Sequence, residues 1–263
     1  MVRKHVKIEP ERWYYYCDRL GLMVWQDMVS GGNPLGSISQ MLEMSKSLAS
    51  NCGLKDDTQE SYEIVGKPKL FQRKAFEREI METVQHLKRF SSIVVWVLFN
   101  ELWGQFDSVR LTNAIKATDS TRLVDSDSRW ADQGSGDLHT FHTYASSFEK
   151  PAEVIGDRER AWVVSECGGF TYQESDHIWN QEKFGYTDSA SREELKISNQ
   201  EFFGKVIPRL KESGCAAVIY TQLTDVEEEA NGLYTYDRKV LKISDKLIEK
   251  LNKSLLDVDD TEE

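Results

Sequence analysis

Two glutamates in this chain each follow a short apolar run. Ile93–Phe99 leads into Asn100-Glu101, and Ala161–Val164 leads into Ser165-Glu166, then Cys167-Gly168-Gly169. If both runs are strands of one parallel sheet, both carboxyl groups lie at the C-terminal strand ends, where βα loops build active sites. Two acids facing each other there suit glycosidic bond cleavage. One protonates the leaving oxygen, and the other attacks or activates water. The competing reading makes them helix caps or partners of arginine.

The neighbours bear on the choice. Asn100 can hydrogen-bond a sugar hydroxyl. Trp103, Trp130, Tyr144 and Trp179 fall just beyond strands or in loops, where aromatic faces can stack on sugar rings. Trp96 and Trp162, inside strands, read as core. His139 and His142 are three apart in a polar strand and so face opposite sides, a poor metal pair. One of them reads better as a partner of substrate or of a catalytic acid. No Gly-x-Ser-x-Gly elbow surrounds Ser165, which disfavours a serine hydrolase. A thiol hydrolase using Cys167 is a third reading.

The elements that must position these residues are legible as alternation. Apolar runs at Leu22–Trp25, Ile93–Phe99, Leu123–Val124, Ala161–Val164 and Ala216–Tyr220 read as strands, with more polar ones at Met1–Lys7 and Leu138–Tyr144. Helical stripes lie between them: one opening at Pro10-Glu11 and running to about Leu20, and Lys69–Phe90 with Phe76, Ile80, Val84 and Leu87 on one face. Glu193–Glu212, with Pro208 expected to kink it, and a last helix carrying Leu247, Leu251 and Leu255 complete the set. Apolar strands alternating with helices require a parallel sheet covered on both faces, and the seven candidate strands suggest a (β/α)8 barrel or an open doubly wound sheet. No GxGxxG follows a strand, which disfavours a dinucleotide fold. Two long inserts, Met28–Pro68 and Gly168–Arg192, read as substrate walls.

Composition excludes several classes. In 263 residues, 33 Lys+Arg oppose 44 Asp+Glu, a net charge of −11, which disfavours nucleic acid and anionic lipid as partners. No apolar stretch approaches the ~20 residues of a membrane helix. The four cysteines have no CxxC spacing and read as free thiols. Met1–His5 has no signal-peptide layout, which reads as a cytoplasmic chain if the sequence is complete.

Longer motifs carry a resemblance. Arg3–Tyr14, Cys17–Met28, Trp96–Asp107, Val164–Gly169, Tyr220–Glu227, Asn231–Leu233 and Thr235–Arg238 resemble, in order, glycoside hydrolase family 2, the family of β-galactosidases, β-glucuronidases and β-mannosidases. The resemblance implies a retaining β-glycosidase on a TIM (β/α)8 barrel that works by double displacement. Glu101 would be the acid/base after strand 4 and Glu166 the nucleophile at the end of strand 7. It places Arg3 and His5 on strand 2 near the sugar pocket, and Asn100 against the sugar 2-hydroxyl. His142 and Tyr144 would follow strand 6, and Tyr220 and Gln222 would stand at the strand-8 rim. No metal or organic cofactor is implied.

Against the family pattern, Cys167 replaces the usual Phe of the nucleophile motif, and Met1 falls at strand 2. The expectation is an incomplete barrel lacking strand 1 and its helix. Residues 1–256 would form the catalytic fragment, strands 2–8, and 257–263 an acidic disordered tail. The implied partners are a carbohydrate β-glycoside and either missing N-terminal β-domains or a second copy of the chain. The alternative function is a non-catalytic, carbohydrate-binding remnant of such an enzyme.

Overall fold

The structure, a computed structural model, describes residues 1–29, 55–64, 67–128, 131–145, 157 and 159–256. The expected tail at 257–263, Cys52, Trp130 and most of the Met28–Pro68 insert lie outside the described residues. The chain divides into two compact units. The first is Met1–Phe141 with Asp157–Val163, and the second is His142–Gly156 with Val164–Glu263.

In the first unit the strands β1 (Val2–Lys4), β2 (Val24–Asp27), β3 (Ile93–Val97) and β4 (Leu123–Asp125) form a parallel sheet in chain order. Cα partners run Arg3↔Trp25, Asp27↔Val97 and Val97↔Asp125. All four residues of β2 are buried, as expected of a strand covered on both faces. The connections are α1 (Glu11–Leu20), α2 (Gln59–Ile64), α3 (Leu70–Leu87) and α4 (Ser108–Thr118). Helix α1 stops at Gly21, whose φ of +64° lets the Gly21 and Leu22 N–H groups reach back to Asp18 and Cys17. The predicted stripe on α3 is the buried one: Phe76, Ile80, Val84 and Leu87 join Tyr14, Trp96, Phe99, Phe106 and Ile115 in one apolar cluster. Asp56 fixes the start of α4 by accepting the Ser108 N–H at 3.1 Å.

Strands β5 (Leu138–Thr143) and β6 (Ala161–Gly168) each begin in the first unit and end in the second. In the second, residues 164–168 of β6 pair in parallel with β9 (Val218–Thr221) through Val164↔Val218 and Cys167↔Tyr220. The insert after β6 carries a short parallel pair that the sequence did not suggest, β7 (Phe170–Thr171) with β8 (Thr187–Asp188). The predicted helix over Glu193–Glu212 is three segments: α5 (Arg192–Glu201), a π-helical turn at Phe202–Val206, and α6 (Ile207–Glu212). Pro208 has no N–H for the ladder, and the widened turn immediately before it takes up the irregularity. Helix α7 (Asp245–Leu256) closes the described chain. Among the described residues no helix is long and apolar enough to cross a membrane.

Candidate active site

In the first unit, Arg3 projects from β1 into a buried polar knot. Its Nε and Nη2 donate to the two Asp27 carboxylate oxygens, both at 2.9 Å, and Nη2 also donates to Asn100 Oδ1 at 2.8 Å. The Arg3 and Asp27 side chains are only 3% and 2% exposed. A buried guanidinium is tolerable because the carboxylate fork matches its planar donors. Arginine has donors only, so Asn100 must turn its oxygen toward Arg3. Its NH2 is thereby directed away, the orientation needed to donate to a sugar hydroxyl. Arg3 thus fixes the orientation of Asn100, while His5, just beyond β1, is exposed. Asp27, which the sequence shows only as a polar residue ending an apolar run, is the anchor of the knot.

Glu101 follows Asn100 with φ +50°, and Leu102 follows with φ +66°. Non-glycine residues seldom adopt such angles, and two in succession need external support. Three backbone hydrogen bonds give it: Glu101 N–H to Ser128 O at 3.1 Å, Trp103 N–H to Asn100 O at 3.0 Å, and Gln105 N–H to Leu102 O at 3.0 Å. The turn leaves the Glu101 residue part-exposed and Trp103 36% exposed, which fits an indole available to a ligand. His139 is committed elsewhere. Its Nδ1 lies 3.1 Å from Asp157 and its Nε2 3.4 Å from Asp132, both carboxylates also held by Arg160.

In the second unit Glu166 stands near the C-terminal end of β6. The Tyr144 hydroxyl donates to Glu166 Oε2 at 2.5 Å, and His142 Nδ1 lies 3.4 Å from the same oxygen. Burial, with the Glu166 charge next in weight, pushes the Tyr144 phenol far above its ordinary range, so it remains a donor. Tyr186 lies flat on Tyr144, centroids 3.4 Å apart and planes 3° apart. Gly169, at φ +66°, makes room for both rings: a Cβ there would lie 2.7 Å from each. Tyr186 carried no signal in the sequence beyond membership of the long insert.

Burial also pushes the Cys167 thiol up, and its S–H donates to Ile219 O at 3.3 Å. A buried, protonated thiol is a poor nucleophile, which weighs against the thiol-hydrolase reading. Tyr220 covers Gly168 and packs on Phe203, with centroids 5.9 Å apart, so it supports the strand ends. Gln222 Nε2 donates to Asn231 Oδ1 at 2.6 Å and to Glu229 Oε2 at 3.2 Å. Glu229 and Asn231 therefore join Gln222 at the end of β9, although only Asn231 lay within a recognisable motif.

Glu101 follows the parallel strand β3, and Glu166 lies near the C-terminal end of the parallel strand β6, so each carboxyl stands at a strand end of an α/β fold. The model of "Glycosyl hydrolases family 2, TIM barrel domain" matches residues 8–181, more than half of the chain, so the protein belongs to glycosyl hydrolase family 2 and has a TIM-barrel-like α/β fold. Solved structures agree on the fold. The GH2 β-galacturonidase from Eisenbergiella tayi, bound to galacturonate, superposes with TM-score 0.62 at 15% identity, over 96% of this chain and 44% of that one. The β-D-glucuronidase of Dictyoglomus thermophilum gives 0.58 at 13%, over 98% and 44%. Bacteroides uniformis β-glucuronidase 2, covalently bound to cyclophellitol-6-carboxylate aziridine, gives 0.52 at 13%, over 90% and 29%. This chain thus spans less than half the length of these structures. A search of curated proteins finds no match.

Proposed function

We propose that the chain carries the catalytic residues of a retaining β-glycosidase and is a portion of a larger multidomain enzyme. Protonated Glu101 donates to the glycosidic oxygen as the Glu166 carboxylate attacks the anomeric carbon. The C–O bond to the leaving group breaks, and a glycosyl ester forms on Glu166. Glu101, now ionised, takes a proton from water, which hydrolyses the ester. The observation that carries this reading is the placement of Glu101 just beyond β3 and of Glu166 near the C-terminal end of β6, each beside polar residues suited to its role. Asn100, turned by Arg3, adjoins Glu101, and the Tyr144 hydroxyl and His142 adjoin Glu166.

The chemistry of the substrate is suggested by the structural relatives. They include a β-galacturonidase and β-glucuronidases, one of them held covalently by a cyclophellitol aziridine, so aryl β-uronides are the first substrates to assay. The share of those chains that is covered supports the view that further domains complete the enzyme.

The test separates the two glutamates. With a dinitrophenyl glycoside, Glu101→Ala should still form the ester and then stall, because no base activates water. Azide needs no base and should release the β-glycosyl azide from Glu101→Ala and the α-anomer from Glu166→Ala. Reversed anomers would exchange the two roles. Wild-type turnover in both variants would end the glycosidase mechanism. A sugar-binding isotherm with no aryl release from the wild type would favour a non-catalytic remnant. In a crystal structure, a retaining pair requires carboxyl groups about 5 Å apart, against ~6.5–9.5 Å for an inverting pair.

A further inference from the structure

Asp125 ends β4, and its side chain is fully buried. Among the described residues its Oδ2 has no hydrogen-bond partner, although Oδ1 accepts from the Thr140 hydroxyl at 2.9 Å and from the Ser128 N–H at 3.3 Å. The carbonyl of that same Ser128 accepts the Glu101 N–H at 3.1 Å. One residue of backbone therefore separates the Asp125 carboxyl from Glu101.

Three residues on this path hold left-handed backbone without being glycine: Ser128 at φ +23°, Glu101 at +50° and Leu102 at +66°. Each such conformation costs about 1–3 kcal/mol and persists only where the surroundings enforce it. A buried carboxyl with an unmet oxygen is a further cost of about 1–3 kcal/mol. Pairing of the strands does not account for it, because Leu98 N–H bonds the Asp125 main-chain carbonyl at 2.8 Å, which any residue would offer. What the side chain adds is the grip on Ser128. Burial pushes the carboxyl up to about 6 against the pull of Arg3, Thr140 and Ser128, and Asp27 adds to the rise.

We infer that Asp125 is a positioning residue for Glu101: its carboxyl fixes Ser128, and Ser128 fixes the strained turn that aims the proton donor. The aiming of a proton donor rests on the glycosidase reading. The fixing of the turn does not.

Hydrogen exchange of the Glu101 amide in the isotopically labelled chain tests the geometric half without turnover. In Asp125→Ala that amide should lose protection by about tenfold or more, while Val95 and Val97 within β3 keep theirs. Asp125→Asn retains an acceptor and should restore most of it. If Asp125→Ala does not fold, Thr140→Val, which removes the other donor to the same oxygen, should give a smaller loss of the same sign. Unchanged Glu101 protection in the folded variant overturns the inference.

A series of aryl β-uronides of rising leaving-group pKa tests the other half. Asp125→Ala should lose about tenfold or more in kcat/KM on poor leaving groups and little on dinitrophenyl, because only the former need the acid. Glu101→Gln is the internal reference. A steep leaving-group dependence in Glu101→Gln with a uniform loss in Asp125→Ala overturns the positioning role. Absence of that dependence in Glu101→Gln itself overturns the assignment of Glu101 as the acid.

Discussion

The Tyr144 hydroxyl meets Glu166 Oε2 at 2.5 Å, and the ring that carries it is clamped flat against Tyr186. A hydrogen bond to a charged group contributes about 1.5–3 kcal/mol. Here it also orients the carboxylate expected to attack carbon. Tyr144→Phe keeps the ring and removes the hydroxyl, which also meets Tyr186. It should lower kcat/KM on an aryl β-uronide by about 10–100-fold, the rate equivalent of that energy. The melting temperature should move little. Wild-type kcat/KM would show that Tyr144 is a packing residue.

Gly169 sets the space for that clamp. A methyl at its Cα would lie 2.7 Å from both tyrosine rings, and its φ of +66° disfavours any other residue. Gly169→Ala should therefore cost about 1–3 kcal/mol of stability. By spreading the rings it should also reproduce part of the Tyr144→Phe activity loss. A variant with unchanged urea midpoint and unchanged activity would mean the tyrosine pair shifts without consequence.

The Arg3–Asp27 pair predicts an asymmetry between single and double substitution. Arg3→Met leaves a buried, unpaired carboxylate and should destabilise the protein by about 3–5 kcal/mol. Replacing both partners, Arg3→Met with Asp27→Leu, removes the unpaired charge and should recover much of that loss. Asn100 would still lose its orienting donor, so the double variant should be stable but impaired. A double variant no more stable than the single one would argue against an uncompensated charge as the cause.

The residues legible in the sequence were those whose position along the chain is their signal. Glu101 and Glu166 each follow an apolar run, and the strand-end location follows from that alone. The stripe on α3 was legible because 3.6-residue periodicity maps directly onto a buried face. Asp27, Asp125, Ser128 and Tyr186 were not, because each matters through a partner distant in sequence: Arg3 is 24 residues from Asp27, and Thr140 is 15 from Asp125. Periodicity carries no information about such pairs. Trp103 and Tyr220 show a second limit. Both looked like aromatic residues at strand ends, yet one is exposed and the other packs over Gly168 against Phe203, a difference set by tertiary neighbours.

Asp125 predicts a dependence of stability on pH with a definite sign. Its carboxyl titrates at about 6 in the folded protein against 3.8 for the ordinary aspartate. Between those values the native state holds the proton and the unfolded state has released it. The unfolded state thus binds fewer protons, and stability falls as pH rises through the window. Above both values the full cost is in place. Two units correspond to about 3 kcal/mol. Other carboxylates are shifted too, Asp127 upward by burial and Asp132 downward because Arg160 and the Gly134 N–H outweigh its burial, so the wild-type curve alone does not isolate the effect. The difference between wild type and Asp125→Asn does, because the amide keeps the shape and an acceptor but cannot ionise. Measured by urea unfolding from pH 4 to 7, that difference should move by about 2–4 kcal/mol in favour of the variant. Most of the change should fall between pH 4 and 6. A difference constant across the range would mean that Asp125 titrates alike in the folded and unfolded chains, and that its buried Oδ2 is solvated in solution.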